Sequence, residues 1–179
     1  MDSLVIRPAV PSDAEAIAKV HVESWRTAYK GIVADDFLAA LSYERRAEGW
    51  RSGLTNPTAL SGVSLAETAG QTVGFAAYGR ERENDPLYQG ELYAIYLLQE
   101  WRGQGIGRRL WDAAVADLRR QGINALLLWV LANNPARRFY ECLGGQYIRE
   151  KEIDIGQQRL LEVAYGWPDL SADFAHSAD

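Results

Sequence analysis

A chain of 179 residues, 47% apolar and 24% charged, has the material for one compact domain with a full core, and no repeat or low-complexity run divides it. Its net charge of −5 speaks against nucleic acid or an anionic membrane as main partner, and its single cysteine, Cys142, excludes an internal disulfide and a thiolate metal cluster, so no metal is expected. The start, MDSLVIRPAV, lacks the basic region and long apolar run of a secretory signal, and no apolar stretch reaches about 18 residues, so a cytoplasmic location is expected.

LVIRPA reads as a short strand, and Ser12 with Glu15 three residues on reads as a capping box opening a helix through about Tyr29. ADDFLAAL and YERRAEGWRSGL have helical spacing. GVSLAET and TVGFAAYGR are strand-like runs separated by AGQ and form an expected antiparallel hairpin. ELYAIYLL is a further strand leading into WRGQGIGRRLW, after which Ile106, Leu110, Ala113, Ala114 and Leu118 repeat at helical spacing. NALLLWVL is an unbroken apolar run suited to a strand covered on both faces. NNPARRFYECLGG is a helix begun by asparagine and proline and stopped by glycine, and on it Cys142 is expected to pack as a small apolar group. QYIREKEIDI and QRLLEVAYG make a last hairpin turning at GQ. The fold class is α/β, a mixed parallel and antiparallel sheet of about seven strands flanked by helices. One domain over residues 1–167 is expected, with a frayed tail over 168–179.

The glycine cluster asks for a ligand. Gly103, Gly105 and Gly107 stand where a helix begins with its first amides unpaired, beside Arg102, Arg108 and Arg109, and this combination makes an anion site. A dinucleotide fingerprint fails because the third glycine comes one residue early, and a nucleotide P-loop fails because no Gly-Lys-Ser/Thr follows.

Arg102, Gly105 and Gly107 fit the pattern [QR]-x-x-G-x-[GA], and here the sequence resembles the GNAT acetyltransferases, in which this pattern is the pyrophosphate loop for acetyl-coenzyme A. The strand ELYAIYLL and the segment ANNPARRFYECLGG resemble the neighbouring motifs, with Asn133, Ala136, Phe139, Tyr140, Leu143 and Gly144 at matching spacing. VIRPAVPSDAEAIAKVH resembles the opening strand and helix, so the likeness spans roughly residues 4 to 165. Gly145 departs from it, since the family usually carries phenylalanine there, which puts the packing of the last hairpin in question.

The resemblance implies an N-acetyltransferase using acetyl-coenzyme A as cosubstrate. The backbone of Gly103, Gln104, Gly105, Ile106 and Gly107 would hold the pyrophosphate, with Arg102 and Arg108 adding charge. Ile95, Tyr96 and Leu97 would lie beside the pantetheine arm, the Leu97 amide serving the thioester oxygen. Tyr140 is implied as general acid toward the departing thiolate, a role suited to a phenol that stays protonated at neutral pH. Asn133 would contact the coenzyme or cap that helix. For the base, Glu91 stands eleven residues before Arg102, the spacing of the glutamate base in the histone acetyltransferase branch, with His21 or a water chain as rivals.

Trp25, Tyr29, Tyr78, Tyr93 and Trp129 are candidates to line an acceptor pocket, because aromatic faces attract ammonium groups. A small primary amine (a polyamine, an amino acid or an antibiotic) is the expected acceptor, and HVESWRTAY resembles a bacterial small-molecule subgroup. A non-catalytic acyl-coenzyme A sensor, a peptide or protein N-acetyltransferase and a nucleotide-binding regulator are the competing readings. Six tryptophans in one small domain suggest a homodimer.

Overall fold

The computed structural model describes residues 3–58 and 61–171. Its elements run β1 (Val5–Pro8), α1 (Ala14–Ala28), α2 (Asp35–Ala39), α3 (Tyr43–Thr55), β2 (Gly62–Thr68), β3 (Gln71–Arg80), β4 (Gly90–Leu97), α4 (Ile106–Arg120), β5 (Leu126–Leu131), α5 (Arg137–Cys142), β6 (Gln146–Ile155) and β7 (Gln158–Trp167). The seven strands form one sheet in the order β1-β2-β3-β4-β5-β7-β6. Among the described residues, β4 and β5 are the one pair of sheet neighbours in parallel; the others are antiparallel. The expected mixed sheet is present, and the all-apolar β5 is interior to it and covered on both faces.

Strand alternation divides the core. On β3, Ala76 and Tyr78 face α4, whose buried stripe is Ile106, Leu110, Trp111, Ala114 and Leu118. Phe75 and Ala77 face the other way, toward Ile17 and Val20 of α1 and Trp50 of α3. Helix α2 packs beneath the β6–β7 hairpin through Leu38, Phe37, Ile153 and Leu160.

Several expectations change at this level. The capping box of Ser12 and Glu15 does not form: a 3₁₀ turn, Pro11–Asp13, precedes α1, and Asp13 is the anchoring acid. Its Oδ2 accepts from the Val10 amide at 2.8 Å and pairs with Arg7 at 2.8 Å, while Arg7 also binds Glu67 of β2 at 2.7 Å. An ion-paired carboxylate that also takes a backbone amide outcompetes a lone serine hydroxyl. Cys142 is exposed, because α5 is a single short helix whose inward face is taken by Phe139 and Tyr140. Residues just past 167 are not frayed: Leu170 is buried and its amide donates to Asn124 O at 2.7 Å, while 172–179 lie outside the described residues.

Gly145 has a physical reason. A Cβ there would stand 2.6 Å from the Trp167 ring and 2.9 Å from Tyr140 O, so the indole occupies the space of a larger residue. Trp167 is fixed by its Nε1 donating to Leu143 O at 2.8 Å and by contact with Trp111 at 4.4 Å between centroids. Of the six tryptophans, Trp111 and Trp167 are buried and the other four half-buried.

Candidate active site

The sheet opens along one seam. Strands β4 and β5 pair only at Gly90↔Leu126, Glu91↔Leu127 and Leu92↔Leu128. Across β4 on the other side, Leu92 faces Tyr78 and Ala94 faces Ala77, so Tyr93 is the extra residue of a β-bulge. A bulge bends its strand and raises local twist, and here it turns β4 away from β5. The gap is a cavity of about 550 Å³ bounded by Leu92–Leu97 on one side, Leu128–Val130 on the other, and the glycine loop and α5 at its end.

The loop has the geometry of an anion cradle. Gly103 and Gly105 have φ of 72° and 76°, left-handed values that favour glycine, and a Cβ on either would point into open space. Helix α4 starts without a side-chain cap and without an acidic residue in its first turn. Its hydrogen bonding begins with Arg109 N to Gly105 O at 3.2 Å, so the preceding amides face outward at the positive end of a 15-residue helix. At Gly107 the reason for glycine is contact, since a Cβ would meet the Phe139 ring at 3.3 Å. Gln104 and Ile106 do not line the cavity with their side chains: Gln104 Nε2 donates to Glu100 O at 2.9 Å and Ile106 is core. Arg102, an exposed residue, donates to Leu97 O at 3.2 Å and Thr27 Oγ1 at 2.9 Å, and so ties the loop to β4 and α1. Arg108 lines the cavity and pairs with Asp112 at 2.8 Å.

Leu97 is oriented by its neighbours. Leu98 N donates to Val73 O of β3 at 2.9 Å, so strand alternation turns the polar groups of Leu97 away from β3. Its carbonyl accepts from Ser24 Oγ at 3.0 Å and from Arg102 on that side. Its amide points the same way, off the edge that β5 has left unpaired.

Three phenols gather beside it. Tyr29 and Tyr96 share a hydrogen bond at 3.1 Å, and Tyr140 lines the same cavity. Burial first, then the proximity of Tyr29, pushes the Tyr140 hydroxyl well above the ordinary phenol value, so it stays protonated. Burial likewise raises Tyr96 and Tyr29. The buried amide here is Asn134 and not Asn133: Asn134 Oδ1 accepts from Ala136 N at 2.9 Å and lines the cavity, whereas Asn133 is exposed. The turn after β5 faces successive side chains in different directions, which spacing alone does not resolve.

A second cavity of about 420 Å³ adjoins the first and shares Tyr29, Tyr93, Tyr96 and Trp129 with it. Trp25 joins these rings, so four of the five expected acceptor-side aromatics converge. Tyr78 does not. It faces α4, with its hydroxyl bound to Ser64 at 3.1 Å and to Asp117 at 3.1 Å. Glu91 is 2% exposed and lines this second cavity, but both its oxygens are engaged: Arg82 Nε and Nη2 approach at 3.0 and 2.5 Å and the Arg82 amide at 3.3 Å. His21 lines neither cavity. Its Nδ1 accepts from Trp50 Nε1 at 3.2 Å, its ring stacks on Tyr96, and burial followed by the charge of Arg46 lowers its pKa to about 3.

Sequence reasoning missed Glu162, Lys151 and Arg82 at this cavity. Strand alternation could have grouped Lys151 and Glu162, since they face each other across β6 and β7, but nothing local says that this hairpin reaches the seam.

A sheet parted by a bulge, with an anion cradle at one end of the gap and an aromatic, charged cavity at the other, defines a site for a long phosphate-bearing ligand that meets a second substrate. The model for the acetyltransferase (GNAT) family matches residues 20–144, and the chain belongs to that family. It is accordingly an acetyltransferase. It is 40% identical over 170 residues to the uncharacterized N-acetyltransferase YuaI of Bacillus subtilis, covering 94% of this chain and 95% of that one. A mycothiol acetyltransferase of Thermobispora bispora is 40% identical over 89 residues, 47% of this chain and 30% of the relative. Among solved structures, the PaiA N-acetyltransferase of Thermoplasma acidophilum in complex with coenzyme A superposes with a TM-score of 0.67 at 22% identity, over 89% and 98% of the two chains. YncA of Salmonella typhimurium with acetyl-CoA does so with a TM-score of 0.70 at 20% identity, over 99% of each.

Proposed function

We propose that the chain transfers the acetyl group of acetyl-coenzyme A directly to a primary amine of a small molecule. The observation that carries this reading is the continuity of the two cavities through Tyr29, Tyr93, Tyr96 and Trp129, which lets a thioester and an amine meet inside the parted sheet. Acetyl-coenzyme A supplies the acetyl group and a thiolate leaving group.

Each protein group then has one task. The open space at Gly103 and Gly105 and the uncapped start of α4 fit a pyrophosphate, with Arg108 close by. Arg102 holds that loop in place. Ile95, Tyr96 and Leu97 form one wall for the pantetheine arm, and the Leu97 amide is the donor for charge gathering on the carbonyl oxygen. Tyr140 gives its proton to the departing sulfur, and its raised pKa keeps that proton available throughout the neutral range. Asn134 sets the start of α5 and so the position of Tyr140.

The walls of the second cavity suit a small cationic acceptor, because rings and carboxylates both attract an ammonium group. Cys142, exposed and lining neither cavity, supports transfer without a covalent enzyme intermediate. The test is a panel of polyamines, amino acids, aminoglycosides and short peptides, read by release of coenzyme A thiol. Turnover with small primary amines is expected. Turnover confined to peptide N-termini, or tight acetyl-coenzyme A binding with no turnover of any amine, refutes the acceptor class.

A further inference from the structure

Three carboxylates line the second cavity, Glu83, Glu91 and Glu162, and their surroundings differ. Glu91 is held on both oxygens by the fork and amide of Arg82, a clip that closes the β3–β4 hairpin. Glu162, on β7 opposite Leu131 at the end of β5, is buried and its one ion pair among the described residues is a 3.5 Å contact with Lys151 Nζ. Lys151 in turn is shared with Glu83 and sits 3.9 Å from the centroid of the Trp129 ring. A primary ammonium, that of Lys151, thus already lies within reach of both that ring and the Glu162 carboxylate.

We propose that Glu162, rather than Glu91, is the base that takes the proton from the acceptor's ammonium group. The inference rests on the reading of the acceptor as a protonated amine. The step balances simply: the ammonium N–H breaks, the proton passes to Glu162, and the nitrogen lone pair forms the bond to the acetyl carbon as the C–S bond breaks. The sulfur leaves with the Tyr140 proton, the second nitrogen proton restores the phenol through solvent, and Glu162 releases its own proton to solvent.

The groups facing Glu162 are Lys151 of β6, Glu83 of the β3–β4 connection, Glu91 of β4 and Tyr29 just after α1. Burial raises its pKa, Lys151 opposes this, and the two neighbouring glutamates add to the rise, so the net direction is upward. A carboxylate raised from its ordinary value is matched to accepting a proton nearer neutrality, while both Glu91 oxygens are engaged by Arg82.

The experiment compares Glu162→Gln, Glu162→Asp and Glu91→Gln with the unmodified enzyme, using its fastest amine across a pH series. Expected for Glu162→Gln is unchanged calorimetric binding of acetyl-coenzyme A, an unchanged melting curve and a turnover about 10²-fold lower near neutral pH. That deficit should shrink as pH approaches the pKa of the amine, which then supplies its own neutral form. Glu162→Asp keeps the charge, so a partial rate with the unmodified pH dependence is expected, and this variant decides the matter if the glutamine variant does not fold. A Glu162→Gln enzyme within about threefold of full activity at every pH, or the pH-dependent deficit appearing in Glu91→Gln instead, overturns the proposal. If the unmodified enzyme accepts no amine, the acceptor reading fails by itself, and slow hydrolysis of acetyl-coenzyme A by water becomes the readout. Glu162→Gln should then lower the hydrolysis rate, and an unchanged rate overturns the proposal.

Discussion

Replacing His21 with asparagine should flatten the acid side of the stability profile. The imidazole is 9% exposed, is packed against Tyr96 and Trp50, and has its pKa lowered from 6.5 to about 3 by burial and by Arg46. Below pH 6.5 the unfolded chain takes up a proton here that the folded chain refuses until about pH 3. The stabilisation is thus complete above 6.5 and is lost progressively as pH falls across that window. One proton of difference corresponds to about 1.4 kcal/mol per pH unit, so by pH 5 the loss from this group alone is about 2 kcal/mol. Asparagine keeps an acceptor for Trp50 Nε1 and has no such proton to gain. Urea unfolding followed by tryptophan fluorescence, run on both proteins from neutral pH down to about pH 5, gives the comparison. Carboxylates such as Asp13 and Asp85, whose pKa values are lowered in the folded state, titrate alike in both proteins and cancel in the difference. A gap between the two proteins that does not change with pH would refute a buried neutral histidine, and would return His21 to consideration as a group that titrates near neutrality.

Tyr140→Phe keeps the ring and its packing, so calorimetric affinity for acetyl-coenzyme A should hold while turnover falls by about 10²-fold; equal turnover, with chemistry shown to be rate-limiting, removes Tyr140 as the acid. Gly105→Val acts on the other half of the site, since a β-branched residue at φ 76° is strained by about 1–3 kcal/mol and projects into the open cradle. Its calorimetric affinity for acetyl-coenzyme A should drop at least about tenfold, and unaltered affinity would mean that the pyrophosphate lies elsewhere. Gly145→Ala should cost about 1–3 kcal/mol in a chemical denaturation curve, because its Cβ would stand 2.6 Å from the Trp167 ring and 2.9 Å from a backbone oxygen; a neutral result would show that Trp167 can move aside.

The glycine loop, the strand before it and the helix after it were legible in the residues themselves, because a left-handed backbone and an uncapped helix start are local demands that few residue types meet. The same holds for β5, whose six apolar residues admit little but an interior strand, and for the closing hairpin turning at Gly156. Tyr140 carried its own chemistry in its side chain, and the fold only had to bury it. What depended on partners distant in sequence was not legible. Asn134 turns inward where its side chain takes the Ala136 amide, and Tyr78 shares a face with Ala76 by alternation along β3, a face that only tertiary packing assigns to α4. Glu91 and Glu162 look alike as letters in a strand; Arg82 occupies one, while burial and a loosely held lysine prepare the other. A carboxylate's chemistry depends on the charges and the solvent that reach it, and those are fixed only when β4, β6 and β7 close around one cavity.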